Sequence, residues 1–90
     1  MEHYLIIVEK GVNNYSAYSP DLQGCVATGK TVEETINEMR DAICFHIEGL
    51  QEQGDNLPLP QPFEKHVNQI DVDAEDIFAF VGIQLESVAA

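Results

Sequence analysis

The chain has 90 residues, 16 of them acidic against 4 Lys and Arg, for a formal net charge of -12. That length makes one small domain, and that charge excludes a direct nucleic-acid surface, because phosphates are held by Lys and Arg that displace counterions. Two cysteines with no metal-type spacing exclude a disulfide scaffold, and the longest N-terminal apolar run, Tyr4 to Val8, is too short for a signal peptide or a membrane span.

A reduced, cytoplasmic setting fits this composition, with basic proteins as the partners that charge would steer. A domain of this size buries only roughly 60–65% of the surface its unfolded chain exposes. A thin core of this kind makes self-association or a bound partner the expectation before any motif is read.

Residues 3–9, "HYLIIVE", predict a strand, followed by a turn at "KGVNN" and a second strand at 15–19, "YSAYS". The two form an antiparallel hairpin. Pro20 and Asp21 then break the ladder, because Pro has no N–H to give and Asp suits the start of a turn. Residues 24–28, "GCVAT", predict a third strand. Thr31 opens a helix of about 21 residues as N-cap, with Glu34 reaching back to the Thr31 amide in a capping box. Val32, Ile36, Met39, Ile43, Ile47 and Leu50 recur at helical spacing and form one apolar stripe. Gly54 ends the helix and Pro58 bars its continuation.

A proline-punctuated connector, "DNLPLPQP", follows, and residues 63–76 have no clear period. Residues 77–85 predict a last strand, with Ile77, Ala79, Val81, Ile83 and Leu85 on one face and Phe78, Phe80, Gly82 and Gln84 on the other. The fold class is α+β: one β-β-β-α-β domain, a four-stranded mixed sheet with one long helix on one face.

Cys25 stands among Gly24, Val26 and Ala27 with no base beside it in sequence, and reads as a small buried strand residue rather than a nucleophile. His3, His46 and His66 form no helical ligand pair. "DVDAEDIFAFVG" has acids at odd positions but Asp76 where a calcium loop needs glycine and Gly82 where it needs glutamate, so it reads as a solvated turn. No catalytic, cofactor or metal residue is assigned, and an enzyme is not expected.

The first strand is apolar on both faces, and Phe78 and Phe80 oppose the aliphatic row of the last strand. One helix covers one face of a sheet. A second chain is therefore expected on the other face or at an edge, giving a dimer or tetramer. Phe45 falls opposite the apolar stripe among Glu38, Asp41, Glu48 and Glu52, as a partner anchor would. Phe45, Phe78 and Phe80 are the candidate contact residues.

The run Tyr18, Pro20, Asp21, Leu22, Gly24, Cys25, then Gly29, Thr31, Glu33, Glu34, then Ala42, Glu48, Gly49, Leu50 and finally Pro58 and Pro60 resembles the HicB-like antitoxin family over residues 3–62. The resemblance implies a partial RNase H-like sheet and helix. It also implies the neutralising of a small basic ribonuclease toxin, HicA, by covering its active site, and self-association. Many members carry a C-terminal DNA-binding module. Only "ESVAA" follows Leu85 here, so residues 1–90 are expected to be one HicB-like domain without that module. The motif residues Tyr18, Pro20, Asp21, Leu22, Gly24, Cys25, Gly29, Thr31 and Glu34 are expected to be mainly structural. Two functions remain: an antitoxin-like binding module, or a stand-alone structural or regulatory homo-oligomer with no toxin partner.

Overall fold

The computed structural model describes residues 1–67 and 73–84. Strand β1 (Glu2–Lys10) forms a hairpin with β2 (Tyr15–Ser19), and β3 (Leu22–Gly29) leads into helix α1 (Val32–Glu52). A short helix, α2 (Phe63–Val67), precedes β4 (Ile77–Ile83). The sheet order is β3-β2-β1-β4.

Every pairing is antiparallel: β1 with β2, β2 with β3, and β1 with β4, the last in register from Glu2↔Ile83 to Val8↔Ile77. The sheet is therefore antiparallel, not mixed. The reason is the connector. It carries the chain past the sheet before β4 begins, so β4 enters beside β1 at the end where β1 finishes. The handedness rule for parallel crossovers has nothing to act on here.

On one face Tyr4, Ile6, Val8, Ala17, Leu22, Cys25, Val81 and Ile83 pack against Met39, Ile43 and Ile47 of α1. Thr35 completes the buried row of α1, where the apolar stripe alone did not place it. Its hydroxyl returns to the helix by donating to the Thr31 carbonyl at 2.7 Å, which makes burial of the polar group tolerable.

The ends of α1 are closed by hydrogen bonds. The Glu34 amide donates to Thr31 Oγ1 at 3.0 Å. The Glu34 carboxylate accepts from the Lys30 amide at 3.0 Å, one residue beyond the expected Thr31 amide. At the other end Gly54 has φ 73°, its amide donates to the Gln51 carbonyl, and the Asp55 amide donates to the Leu50 carbonyl. These two bonds make a Schellman cap, with glycine at the left-handed position.

The second face departs from expectation. Leu5 and Ile7 are fully buried although α1 lies on the other side. Phe63 of α2 packs edge-on against Phe78 of β4, ring centroids 5.5 Å apart. His66 of α2 meets Asp21 in the β2–β3 turn. α2 is thus tied to β4 through Phe63 and to the β2–β3 turn through His66, with β1 lying between β2 and β4 in the sheet. Leu5 and Ile7 are thus buried within the single chain, and the inference that the first strand needs another polypeptide to cover it is corrected. The periodicity of residues 63–76 gave no sign of this, because five helical residues are too few to show a period. Leu85, placed by the sequence on the aliphatic face of the last strand, lies outside the described residues.

Candidate functional site

The motif residues lie at a turn, a bulge, a helix cap and core positions of the fold. Pro20 and Asp21 make a two-residue turn, with Ser19 paired to Leu22, so β3 starts two residues earlier than the sequence indicates. Between the pairs Tyr18↔Val26 and Ser19↔Leu22 the ladder skips Gln23, Gly24 and Cys25. Gly24 takes φ 81° in this bulge, a left-handed backbone that glycine adopts without strain. Gly24 therefore serves an irregularity inside β3, not the turn before it.

Leu22 and Cys25 point into the core. Gly29 is required by close approach: a Cβ there would stand 2.6 Å from Thr35 Oγ1 and 2.8 Å from the Thr35 amide nitrogen. Thr31 and Glu34 are the cap of α1.

Asp21 has the most connected role. Its Oδ1 accepts the Gln61 amide at 3.0 Å and lies 3.1 Å from His66 Nε2. The Asp21 side chain is only 2% exposed and that of His66 9%. Nearby, the Tyr4 hydroxyl donates to the Pro58 carbonyl at 2.9 Å. Three bonds thus pin the connector where it passes from the helix side of the sheet to the opposite side. Tyr18, Pro20, Asp21, Pro58, Leu59, Gln61 and His66 line the hollow beside this crossing. Sequence reasoning missed His66 and Gln61 as partners of Asp21, because 45 and 40 residues separate them.

Both thiols are shifted away from the thiolate form. Burial pushes the Cys25 thiol up from its ordinary value. Burial likewise pushes Cys44 up, helped by Asp41 and Glu48 and opposed by Arg40. A nucleophilic cysteine needs the opposite shift. His46 lines the same groove as Cys25 without a hydrogen bond between them being formed. Glu34 is engaged in capping and Asp21 in fastening, so the two acids serve separate structural tasks. Among the described residues, no three of His, Cys, Asp and Glu gather as metal ligands. No helix among the described residues is long and apolar enough to cross a membrane.

Three phenylalanines are among the large hydrophobic residues left outside. Phe45 is 80% exposed, Phe80 56% and Phe78 39%. The three do not form one patch. Phe78 and Phe80 lie on β4, at one edge of the sheet, on the face opposite α1. Phe45 is on α1 and borders a groove shared with Gly24 and Val26 of β3, at the other edge. Around Phe78 the chain is acidic: Glu64 follows Phe63, Glu9 continues the β1 row of Ile7, and Asp73, Glu75 and Asp76 lead into β4.

A four-stranded antiparallel sheet with one long helix on one face defines an α+β domain of the kind found at the N-terminus of HicB antitoxins. The chain belongs to the HicB-like antitoxin family: the family described as the HicB-like antitoxin of bacterial toxin–antitoxin systems matches residues 4–90. The crystal structure of the N-terminal domain of the antitoxin HicB from Burkholderia pseudomallei is similar at 27% identity and a TM-score of 0.78, covering 91% of this chain and 98% of that one. A chain of the HicA3 and HicB3 toxin-antitoxin complex is similar at 30% identity and a TM-score of 0.74, again covering 91% and 98%. In sequence, an uncharacterised protein of Haemophilus phage HP1 is 39% identical over 66 residues, 73% of this chain. The chain spans 50% of that phage protein's length and 66% of a longer Burkholderia HicB chain.

Proposed function

We propose that the chain is the protein-binding module of an antitoxin and masks a small basic HicA-type ribonuclease. The observation that carries this is the exposed aromatic pair Phe78 and Phe80 on the face opposite α1, on a strand that Asp73, Glu75 and Asp76 precede. After its own chain has covered Leu5 and Ile7, the domain still leaves two large rings in water on that face. Exposed aromatic area ringed by charge of one sign marks an interaction surface. The acids around it, in a chain of net charge -12, favour a partner with Lys and Arg around an apolar centre. The HicA3–HicB3 complex among the similar structures supports the same kind of partner.

The test is direct. The purified chain is added to a HicA-type ribonuclease cleaving RNA, and tagged chain is recovered from its source cell with whatever small basic protein accompanies it. Suppressed cleavage, relieved by Phe80→Glu with the fold retained, is the expected result. Continued cleavage together with no basic companion overturns the reading. The second reading, a stand-alone homo-oligomer, draws on a different surface, the groove beside Phe45.

A further inference from the structure

The Asp21 carboxylate is only half satisfied by its own chain. Its Oδ1 takes the Gln61 amide at 3.0 Å and lies 3.1 Å from His66 Nε2, while Oδ2 is buried with no partner among the described residues. The side chain is 2% exposed. Two other buried side-chain atoms share this condition among the described residues, Ser19 Oγ and Gln51 Oε1, but neither belongs to a carboxylate. A buried acceptor left open costs stability, and most where it belongs to an ionisable group. Fastening the connector accounts for Oδ1; nothing in the fold accounts for Oδ2.

Asp21 also lines the hollow beside the crossing, a space of about 520 Å³. That volume lies within the roughly 300–1,000 Å³ of sites that take small ligands. Pro20, Pro58 and Leu59 make its walls apolar, and Asp21 is the one acid among the lining residues. None of the chain's four Lys and Arg lines it. The Gln61 side-chain amide reaches the Leu59 carbonyl at 3.5 Å rather than Oδ2. The hollow therefore holds an acid and no cation to match it.

We propose that this hollow receives the guanidinium of an arginine side chain presented by another polypeptide, with Asp21 Oδ2 as its acceptor. Oδ2 has its lone pairs free, and a guanidinium carries N–H donors in a flat fork that can meet them. Guanidinium is also more weakly hydrated than the ammonium of lysine, so it gives up less on leaving water for a sheltered oxygen. Its aliphatic stem packs on Pro20, Pro58 and Leu59, as long charged side chains do along apolar surface. Free arginine brings a carboxylate that a chain of charge -12 repels, which favours a side chain held in a polypeptide. Neither Phe78 nor Phe80 lines the hollow, and the proposal does not rest on the toxin reading.

Heteronuclear NMR titration of the full chain with N-acetylarginine amide tests it. The expected result is a saturable shift centred on Tyr18, Asp21, Leu59, Gln61 and His66, absent with the neutral isostere N-acetylcitrulline amide. Free arginine should bind more weakly than the amide; tighter binding of free arginine overturns the polypeptide source. Leu59 is 55% exposed, so Leu59→Lys leaves the fold intact and places a cation at the rim. It should weaken binding by at least about tenfold in Kd. Glu33→Gln makes the same change in net charge at a different hollow and should leave binding unchanged. Asp21→Asn, which keeps an oxygen for the Gln61 amide, should also weaken binding by at least about tenfold. No saturable shift overturns the proposal, as does equal binding of the citrulline amide. So does an equal loss in Leu59→Lys and Glu33→Gln, which would mark attraction to the whole charge rather than to this site.

Discussion

Two glycines of this chain invite the same substitution with opposite results. Gly29→Ala drives a Cβ into the Thr35 backbone, with 2.8 Å to the amide nitrogen and 3.0 Å to Cα, and backbone cannot swing aside as a flexible side-chain tip can. A loss of about 1–3 kcal/mol is expected, as for other overpacked sites. Gly49→Ala meets open space and should stabilise the monomer by about 0.5–1 kcal/mol from helix propensity. Urea unfolding of both variants, at concentrations where the chain is monomeric, checks the pair.

Asp21 invites a graded comparison. Its Oδ2 is buried with no partner among the described residues, while Oδ1 takes the Gln61 amide and His66. Asp21→Asn keeps an oxygen for the Gln61 amide, whereas Asp21→Ala leaves that amide and His66 without their acceptor. Hydrogen exchange at residues 57–67 should accelerate strongly in the alanine variant and mildly in the asparagine one. If the alanine variant exchanges there as slowly as the parent, the tether has no structural weight.

The Tyr4 hydroxyl carries a pH signature. Burial first, then the nearby Glu2 and Asp21, push it above its ordinary value of 10.0. Cys25 and Cys44 are displaced the same way from 9.0. For each group the neutral form is preferred in the folded state. Their contribution is therefore complete below the unfolded values and is lost as pH rises through and beyond them. Stability should hold through neutrality and fall in the alkaline range, and Tyr4→Phe should flatten part of that fall in a denaturation series.

At the scale of elements, α1 was legible because several signals agree. A threonine cap, glutamates in the first turn, an apolar stripe at three and four residues, and a glycine terminator all point to the same 21 residues. Thr31→Ala should cost about 1 kcal/mol, measured by thermal or urea unfolding, since it removes the acceptor of the Glu34 amide. β1 was legible for a similar reason, its apolar run being continuous. α2 was not, because a five-residue helix is held by what it touches, Phe78 and Asp21, rather than by its own periodicity. The direction of β4 was not legible either. Antiparallel and parallel strands share the same alternation, and only the path of the connector decides between them.

For the whole molecule, charge and apolar surface divide the exterior into two. One edge presents Phe78 and Phe80 near acids, and the other a groove beside Phe45 lined by no Asp, Glu, Lys or Arg. If the acid-rimmed surface receives a basic toxin, raising the salt concentration should slow association far more than it speeds dissociation, because screening acts on the encounter at distances beyond about 8–10 Å. Stopped-flow mixing at two ionic strengths separates the rates.

The sequence alone settled what is local: the helix and its caps, the strand positions within a residue or two, the burial of Cys25, and the family to which Tyr18 through Glu34 point. Those features depend on neighbours a few residues apart, which a linear reading sees. The fold alone decided that Asp21, Gln61, His66 and Tyr4 clamp the connector, that the chain covers its own first strand, and that Phe45 and Phe80 face different directions. Each of these joins residues tens of positions apart, and no periodicity records which distant segment will fold back to cover an apolar face.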